Sequence, residues 1–343
     1  MRLLPEGSGR IEFLAYAPDG SHLAASARPG PSVHLWDLRA GAVQSLKEPR
    51  PSAPLAPRPA DLLVPLTYSP SGGLLAAGGE GQVSLRDNRT GIERYFLNAV
   101  GHQSRCLAFT PDGQTLVSAG VDRDDTGPLT AVLLWDAATA RRRKFPAPFP
   151  VGSNALAIAA DGSVVLWCES AGRGSPAHLT LWHVPGRRPL ARLSRAAPPA
   201  CAAFSPAGRQ FALGVEDVIL LYEIGHVVDY FGLALGSGAW APLTLPFWWK
   251  RFMSRLPPLG SPKVLEGHRE RVLAVAFAPD SASLFSGGLD RTVRCWDLPS
   301  LRERTAWIWP IGPVCSLAVA PDGMTAAAGG YAGRSVIWDL AWF

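Results

Sequence analysis

Motifs that mark most enzyme active sites are missing from this 343-residue sequence. Its seven histidines form no HxH, HxxxH or HExxH pair of the kind that binds a metal ion. It also contains no GxSxG nucleophile turn, no GxxxxGK(S/T) phosphate loop and no GxGxxG dinucleotide loop. We therefore predict a protein that is not an enzyme and that has no catalytic residue, no cofactor and no metal site.

Cysteine is scarce and shows no paired spacing. The five cysteines, at positions 106, 168, 201, 295 and 315, are odd in number, widely separated and without a CxxC pair. Each lies in an apolar run typical of a strand, so we expect buried, reduced thiols in a reducing compartment. The N-terminus, MRLLPEGSGRIEFLAYAPDG, lacks the apolar stretch of a signal peptide, which favours the cytoplasm.

Strong charge is missing as well. The formal net charge is only +5, and the one tight basic run, Arg141 to Lys144, stands alone. Nucleic-acid proteins usually cluster basic residues on one face with stacking aromatics, so this pattern argues against a nucleic-acid partner. The bias toward alanine, arginine and proline favours a GC-rich bacterial source.

Turn residues, in contrast, are abundant over an ordinary apolar content. The chain holds 35 glycines and 32 prolines, and 47% of its residues are hydrophobic. A normal core combined with frequent turns favours many short strands in one all-β unit.

An apolar run followed by a turn recurs seven times. The runs are FLAYAPDG, PLTYSPSG, CLAFTPDG, ALAIAADG, CAAFSPAG, AVAFAPDS and SLAVAPDG. Each is followed by a strand-like ending, in order VHLWDL, VSLRDN, VLLWDA, LTLWHV, VILLYEI, VRCWDL and SVIWDL. Successive endings lie 40 to 50 residues apart except for one interval of 74, close to the repeat length of a four-stranded propeller blade.

These seven units resemble the WD-repeat (β-transducin repeat) family over essentially the whole chain. The resemblance implies an all-β, seven-bladed β-propeller of four-stranded antiparallel blades, built as a single domain over residues 1–343. The last unit ends after its third strand, and the first residues, MRLLPE, belong to no unit. We therefore predict that an N-terminal strand closes the last blade and covers its open edge.

In this family a Gly-His opening, a strand serine or threonine, a turn aspartate and the tryptophan form a structural hydrogen-bond network within a blade. Carried onto this chain, the network comprises His268, Ser286, Asp290 and Trp296. A second unit matches at His102, Ser118, Asp122 and Trp135, although its turn is stretched. The histidines are therefore interpreted as structural rather than catalytic. The remaining five units depart from the pattern and are expected to rely on packing.

Loops on one face of the ring, the top face, are enlarged in the first four units, at residues 27–32, 47–61, 122–130 and 169–178. This face is our candidate partner-binding surface, because scaffold strands hold the frame and loops carry recognition. The candidate residues are Arg28, Arg50, Arg123, Asp124, Asp125, Arg173 and Trp309. The alternative is that these loops are tolerated polar insertions, since surface loops accept length cheaply.

The long interval contains an apolar insert, residues 225–262, between the third and fourth strands of the fifth blade. It carries no charge between Tyr230 and Trp249, and basic residues follow. The run is long enough to cross a membrane, but a single crossing would separate the blades and prevent ring closure. Pro242 and Pro246 also disfavour a continuous helix.

Three interpretations of the insert remain open. It caps the propeller itself, it docks a protein partner, or it lies at a membrane surface through residues 230–255, with Trp240, Trp248 and Trp249 at headgroup depth. The prediction for the whole chain is a monomeric, non-enzymatic scaffold for protein–protein interaction. The alternatives are a peripheral membrane adaptor and, third, a propeller enzyme with a site in the channel.

Overall fold

The computed structural model describes residues 2–4, 9–28, 32–46, 64–124, 127–143, 153–170, 176–184, 188–225 and 259–340, and their regular structure is β-strand. In chain order the strands are β1 (Arg2–Leu3), β2 (Arg10–Tyr16), β3 (His22–Arg28), β4 (Ser32–Asp37), β5 (Val43–Leu46), β6 (Leu66–Tyr68), β7 (Leu74–Gly78), β8 (Glu80–Asp87), β9 (Glu93–Phe109), β10 (Thr115–Asp124), β11 (Gly127–Asp136), β12 (Arg142–Arg143), β13 (Ser153–Ile158), β14 (Val164–Ser170), β15 (Ala177–His183), β16 (Arg188–Arg195), β17 (Cys201–Phe204), β18 (Gln210–Val215), β19 (Val218–Glu223), β20 (Lys263–Glu266), β21 (Val272–Phe277), β22 (Ser283–Gly288), β23 (Thr292–Asp297), β24 (Arg302–Ile308), β25 (Val314–Val319), β26 (Thr325–Gly330) and β27 (Ser335–Asp339).

The strands pair with their neighbours in sequence as antiparallel hairpins, and they form seven four-stranded blades of a β-propeller. Blade 1 is β2–β5, blade 4 is β13–β16, blade 5 is β17–β20 and blade 6 is β21–β24. Blades 2 and 3 form one seven-stranded sheet, β6–β12, because β9 is the outer strand of the one and the inner strand of the other. The predicted fold class is confirmed, and the continuity of β9 is a feature that the repeat pattern does not reveal.

The turn residues that follow the inner strands, Pro-Asp-Gly in several blades, form a tight turn that ends the strand. In blade 3, Asp112 Oδ1 accepts a hydrogen bond from the backbone N–H of Gln114 at 3.0 Å. Gly113 follows with a φ of 68°, a left-handed conformation that glycine adopts without steric cost. The sequence therefore specifies a tight reversal at this point of the blade.

The N-terminal strand closes the ring by pairing with the last blade, as the sequence predicts. Strand β1 pairs antiparallel with β27 and completes blade 7, with Arg2 opposite Ile337 and Leu3 opposite Val336. The backbone N–H of Leu4 continues the ladder to Ser335 O at 2.9 Å. The predicted closing strand is confirmed.

The core lies between blades rather than within one central layer. Seven apolar clusters each join two adjacent blades, and together they include every junction of the ring. Four tryptophans, Trp135, Trp167, Trp182 and Trp296, are among the largest fully buried side chains. Adjacent blades approach so closely that a Cβ on Gly287 would lie 2.4 Å from Val314 Cγ1 of the next blade. Burial between blades therefore stabilises the ring as a unit.

Strand connectivity defines two faces. Each inner strand begins at the top face, which also carries the turns between second and third strands. The bottom face carries the other two turns of each blade. In blade 5, β19 ends at Glu223 and pairs with β20, which begins at Lys263. The interval from Ile224 to Pro262 thus leaves from the bottom face, and residues 226–258 of the predicted insert lie outside the described residues.

Candidate functional site: the top face and central channel

Blade 6 contains a continuous buried hydrogen-bond network. His268 Nδ1 lies 2.9 Å from Asp290 Oδ2, and His268 Nε2 lies 2.7 Å from Ser286 Oγ. The indole N–H of Trp296 donates to the same serine oxygen at 2.8 Å. The structure thus brings together the four residues that the sequence pattern selects in this blade.

The hydrogen-bond partners determine where the protons lie. An ionised Asp290 can only accept, so His268 carries its proton on Nδ1, and Nε2 accepts from the hydroxyl of Ser286. Burial lowers the pKa of His268 despite the nearby carboxylate. Burial opposes ionisation of Asp290, but hydrogen bonds from Thr292 and from the N–H of Arg269 hold its pKa below the ordinary value. A neutral imidazole between these partners makes a rigid frame.

Blade 3 contains only part of this network. His102 Nε2 lies 2.9 Å from Ser118 Oγ, which lies 3.0 Å from Ser104 Oγ. Among the described atoms, neither His102 Nδ1 nor Trp135 Nε1 has a hydrogen-bond partner. Burial, with a smaller contribution from the guanidinium of Arg142, lowers the pKa of His102 to about 3. Asp122 is placed in β10, with its backbone paired to His102 rather than in a turn, and its side chain lies outside the described atoms.

Two of the blades that depart from the pattern replace the tryptophan differently. In blade 2, the buried Arg86 donates to Gly91 O at 3.3 Å and to Glu93 Oε2 at 3.4 Å. In blade 5, the ring of Tyr222 stacks on Phe211 with centroids 4.9 Å apart. Blade 5 relies on packing at this position, whereas blade 2 adds an ion pair between the buried Arg86 and the half-buried Glu93.

The candidate partner-binding residues that the structure describes are engaged with the propeller. Arg28 ends β3 at the top face, and its Nε lies 3.6 Å from Glu12 Oε1. Trp309 lies in the crossing from blade 6 to blade 7, half-buried, with its ring 6.0 Å from that of Trp338. Arg28 is therefore paired with a carboxylate of its own blade, and Trp309 packs against the third strand of blade 7.

The side chains of the remaining candidate residues lie outside the described part of the structure. For Arg123 and Asp124 only the backbone is described, as part of β10. The other candidates lie outside the described residues: Arg50, Asp125, Arg173, Trp240, Trp248 and Trp249.

One predicted loop is instead a long hairpin. The segment 122–130 reads as an enlarged turn, but β10 and β11 pair out to Asp124 opposite Gly127. Both strands have 10 residues, whereas β22 and β23 in blade 6 have 6 each. The backbone of the insertion satisfies its hydrogen bonds by extending the ladder, and the hairpin therefore projects from the top face of blade 3.

The central channel contains a cavity of about 500 Å³ lined by the inner strands of six blades. The charged residues in its described lining are Arg10, Glu12 and Arg105. Arg10 Nε lies 3.0 Å from Glu12 Oε1, and its guanidinium lies 4.1 Å from the centre of the half-exposed ring of Tyr331. Single motifs do not reveal these positions, whereas an alignment of the seven units at the turn after each inner strand places them in shared columns.

Three of the five cysteines, Cys106, Cys201 and Cys315, line the same cavity. All five cysteines are free thiols, as the sequence predicts. Burial raises the pKa of each of the three channel thiols to about 12. These thiols are therefore protonated and unreactive at neutral pH.

The described ranges contain neither a metal-binding cluster nor a membrane-spanning helix. Within them, no group of three or more histidine, cysteine, aspartate or glutamate side chains is placed to hold a metal ion. No helix in the same part of the chain has the length and apolar character needed to cross a bilayer.

Comparisons with known proteins agree with this architecture. The family model described as WD domain, G-beta repeat, matches residues 95–125 and 260–297, which contain both Gly-His openings. The small ribosomal subunit protein RACK1y of Oryza sativa subsp. japonica is 39% identical over 77 residues, 22% of this chain and 23% of that protein. The small ribosomal subunit protein RACK1 of Neurospora crassa and the MST50-interacting protein 11 of Pyricularia oryzae are each 35% identical over 77 residues, 22% of this chain and 24% of those proteins.

The chain thus spans about a quarter of the length of the curated relatives it matches. All three organisms are eukaryotes, and the bacterial source expected from composition stays a prediction.

Proposed function

We propose that this seven-bladed propeller, in which two segments match the WD domain, G-beta repeat, family model, acts as a non-enzymatic scaffold that binds protein partners through its top face. The proposal extends to a monomeric propeller in the cytoplasm, with the insert 225–262 as a second contact. One relative is named for an interaction with another protein, and two are named as ribosomal subunit proteins. These names favour an assembly role for a propeller of this type.

The observation that carries the proposal is the β10–β11 hairpin. It extends the top face of blade 3 by about four residue pairs beyond the hairpin of blade 6. An extended hairpin costs ordering entropy, and the blade does not need it for its core. A projecting pair of strands offers both side chains and backbone edges to a partner.

The test trims the hairpin without disturbing the blade. Residues 122–129 are replaced by Asn-Gly, a pair that favours a two-residue hairpin turn between the paired Val121 and Thr130. Partners are captured from native lysate and identified by mass spectrometry, with the intact chain as reference. A second variant, in which residues 227–261 are replaced by a short Gly-Ser turn, serves as the matched control for loss of a segment.

We expect the trimmed protein to fold and to lose a partner that the second variant retains. Loss of a partner from the insert variant alone would assign recognition to the insert. If both folded variants retain every partner of the intact chain, the proposed scaffold surfaces are wrong.

The membrane adaptor remains a second candidate, because the insert combines an uncharged aromatic run with Lys250, Arg251 and Arg255. Sedimentation with vesicles of phosphatidylcholine and phosphatidylserine distinguishes it from the scaffold. The adaptor requires the intact chain to sediment with anionic vesicles and the insert variant to stay in the supernatant. A protein that ignores the vesicles would exclude this function.

The third alternative, a propeller enzyme, would place its chemistry in the channel. The carboxylate of Glu12 is shared between Arg10 and Arg28, and the channel thiols have raised pKa values. Neither feature activates a nucleophile or a general base. We therefore favour binding over catalysis.

A further inference from the structure

The chain crosses from blade 6 to blade 7 over the top face through an apolar segment. Ile308, the last residue of β24, is 74% exposed, and it is followed by the half-buried Trp309 and the exposed Pro310. The backbone N–H of Tyr331, which is 40% exposed in the turn between β26 and β27, donates to Pro313 O at 3.0 Å. Single exposed apolar residues are ordinary, but this crossing and this turn together form one apolar patch.

Backbone hydrogen bonds and ring contacts hold the apolar patch in place. The N–H of Ile311 donates to Trp309 O at 2.8 Å, and the N–H of Ala332 donates to Ile311 O at 3.2 Å. The guanidinium of Arg10 lies 4.1 Å from the centre of the Tyr331 ring. The patch is therefore formed before any partner arrives, which lowers the entropy cost of binding to it.

Two exposed arginines lie beside the apolar patch. Ile308 pairs with Thr292 across β23 and β24, and Arg291 precedes Thr292 in the turn. The backbone N–H of Arg269 donates to Asp290 Oδ2 at 3.0 Å, which places Arg269 next to the same turn. Neither guanidinium forms an ion pair with a residue that the structure describes. An anionic group would therefore meet unpaired positive charge at this side of the patch.

We propose that this part of the top face docks an extended acidic protein segment, with an apolar side chain on Ile308 and carboxylates at Arg269 and Arg291. Burial of an exposed isoleucine favours binding, and guanidinium groups match carboxylates in geometry and charge. The inference rests on the proposed scaffold function. It adds the chemistry of a partner and a second area of the top face, separate from the β10–β11 hairpin.

The charges around the patch favour a protein segment over a membrane surface. The top loops of blade 6 carry three exposed arginines and one exposed glutamate, a net charge of +2, at Arg269, Glu270, Arg271 and Arg291. On the same face, the neighbouring turn of blade 5 carries the exposed Glu216 and Asp217. An anionic bilayer across the top face would meet these two carboxylates, whereas a narrow segment can follow the basic side alone.

A defined peptide tests this surface on the full chain. The peptide GDELFDELDG combines acidic and apolar side chains, and its binding is measured by fluorescence anisotropy after labelling with fluorescein. In GDESSDESDG serine replaces the apolar residues, and in GKKLFKKLKG lysine replaces the acidic ones. The first peptide should bind at least about tenfold more tightly than either of the others. Equal binding of the serine peptide, or no binding of the first peptide at about 1 mM, would overturn the proposal.

Matched variants locate the contact. Ile308→Ser should weaken peptide binding about tenfold. Ile92→Ser, at a 67% exposed position in a bottom-face turn of blade 2, should leave it unchanged. Arg291→Gln should weaken binding about threefold, whereas Arg89→Gln, in the same bottom-face turn, should have no effect. All four side chains are exposed, so urea unfolding of the variants should match that of the intact chain. Equal effects of the two isoleucine substitutions would show that the peptide binds elsewhere.

The outcomes separate this inference from the proposed function. If the hairpin-trimmed chain loses a lysate partner but the intact chain ignores the peptide, the scaffold stands and this docking surface is wrong. If peptide binding depends on Ile308 but trimming the hairpin loses no partner, the docking surface stands and the hairpin does not. Sedimentation with phosphatidylserine vesicles that is lost in Ile308→Ser would assign the patch to lipid and would overturn the proposal.

Discussion

Blades 6 and 3 share a buried histidine that contacts a strand serine, but they use its second nitrogen differently. In blade 6, a turn aspartate accepts from His268 Nδ1 at 2.9 Å, and the indole N–H of Trp296 also reaches the serine. In blade 3, the corresponding nitrogen of His102 and the indole of Trp135 have no partner among the described atoms.

The turns explain the difference. The turn of blade 6 is short, and it places Asp290 next to the histidine. In blade 3 the same region continues as the β10–β11 hairpin, which draws Asp122 into a strand. One blade thus completes its internal frame, while the other extends its strands toward solvent. The same turn can therefore complete a rigid blade or extend into a projecting hairpin, which is the element proposed here for partner binding.

The largest effect is expected from Asp290→Ala, which would convert the blade 6 network into the arrangement of blade 3. Asp290 accepts from His268 Nδ1, from the N–H of Arg269 at 3.0 Å and from the hydroxyl of Thr292 at 2.7 Å. Losing several charge-assisted hydrogen bonds at a site that is 6% exposed should lower the free energy of unfolding by about 3 kcal/mol. Urea unfolding measures this change.

The matched control is Asp217→Ala, in the exposed turn between β18 and β19. It should change the free energy of unfolding by less than about 0.5 kcal/mol. Similar effects of the two substitutions would mean that the blade 6 network does not contribute as described.

Low pH should decrease the free energy of unfolding through the histidine of blade 3, His102. The unfolded imidazole of His102 binds a proton below its ordinary pKa of 6.5, whereas the folded one stays neutral down to about 3. Between these values the unfolded state binds more protons, so the free energy of unfolding falls by about 1.4 kcal/mol per pH unit as pH decreases. The pKa of His268 is shifted in the same direction, with the carboxylate of Asp290 opposing the shift.

The measurement is urea unfolding from pH 7 to pH 4 for the wild type, His102→Asn and His268→Asn. His102→Asn should flatten the pH dependence more than His268→Asn does. An unchanged slope in His102→Asn would contradict the assignment of acid sensitivity to this residue.

The smallest expected effect is the difference in stability cost between substitutions of the two tryptophans, Trp296 and Trp135. Trp296→Phe and Trp135→Phe remove similar apolar area from fully buried positions, but only the indole of Trp296 donates to a serine. Trp296→Phe should therefore cost about 1 kcal/mol more than Trp135→Phe in thermal or urea unfolding. Equal costs would show that the indole hydrogen bond has no net stabilising effect.

Much of the architecture could be predicted from sequence because each blade is specified locally. The turns, the alternating apolar runs and the aromatic endings predict hairpins, and the resemblance of the seven units to the WD-repeat family implies a ring. The short last unit also predicts the closing pair of β1 and β27. The same resemblance implies the buried network of blade 6, because the unit from His268 to Trp296 has the family's residues at matching positions.

Other features could not be predicted, because they depend on pairing between segments that local patterns leave open. The segment 122–130 has the composition of a loop, yet its strands continue to pair because this satisfies their backbone groups. The continuity of β9 across two blades has no mark in the sequence. Nor is there a local signal for the two β-bulges of the channel wall, in which the pairing of β2 skips Glu12 and the pairing of β9 skips Arg105.

The sequence by itself determined the number of blades, their order and the buried residues of the repeat, since turn chemistry and apolar periodicity act over a few residues. Only the tertiary structure decided which side chains meet in the channel. Seven inner strands converge on one axis there, and residues such as Arg105 and Cys315, more than 200 positions apart, become walls of one cavity. Ring closure creates that proximity, and no local pattern encodes it.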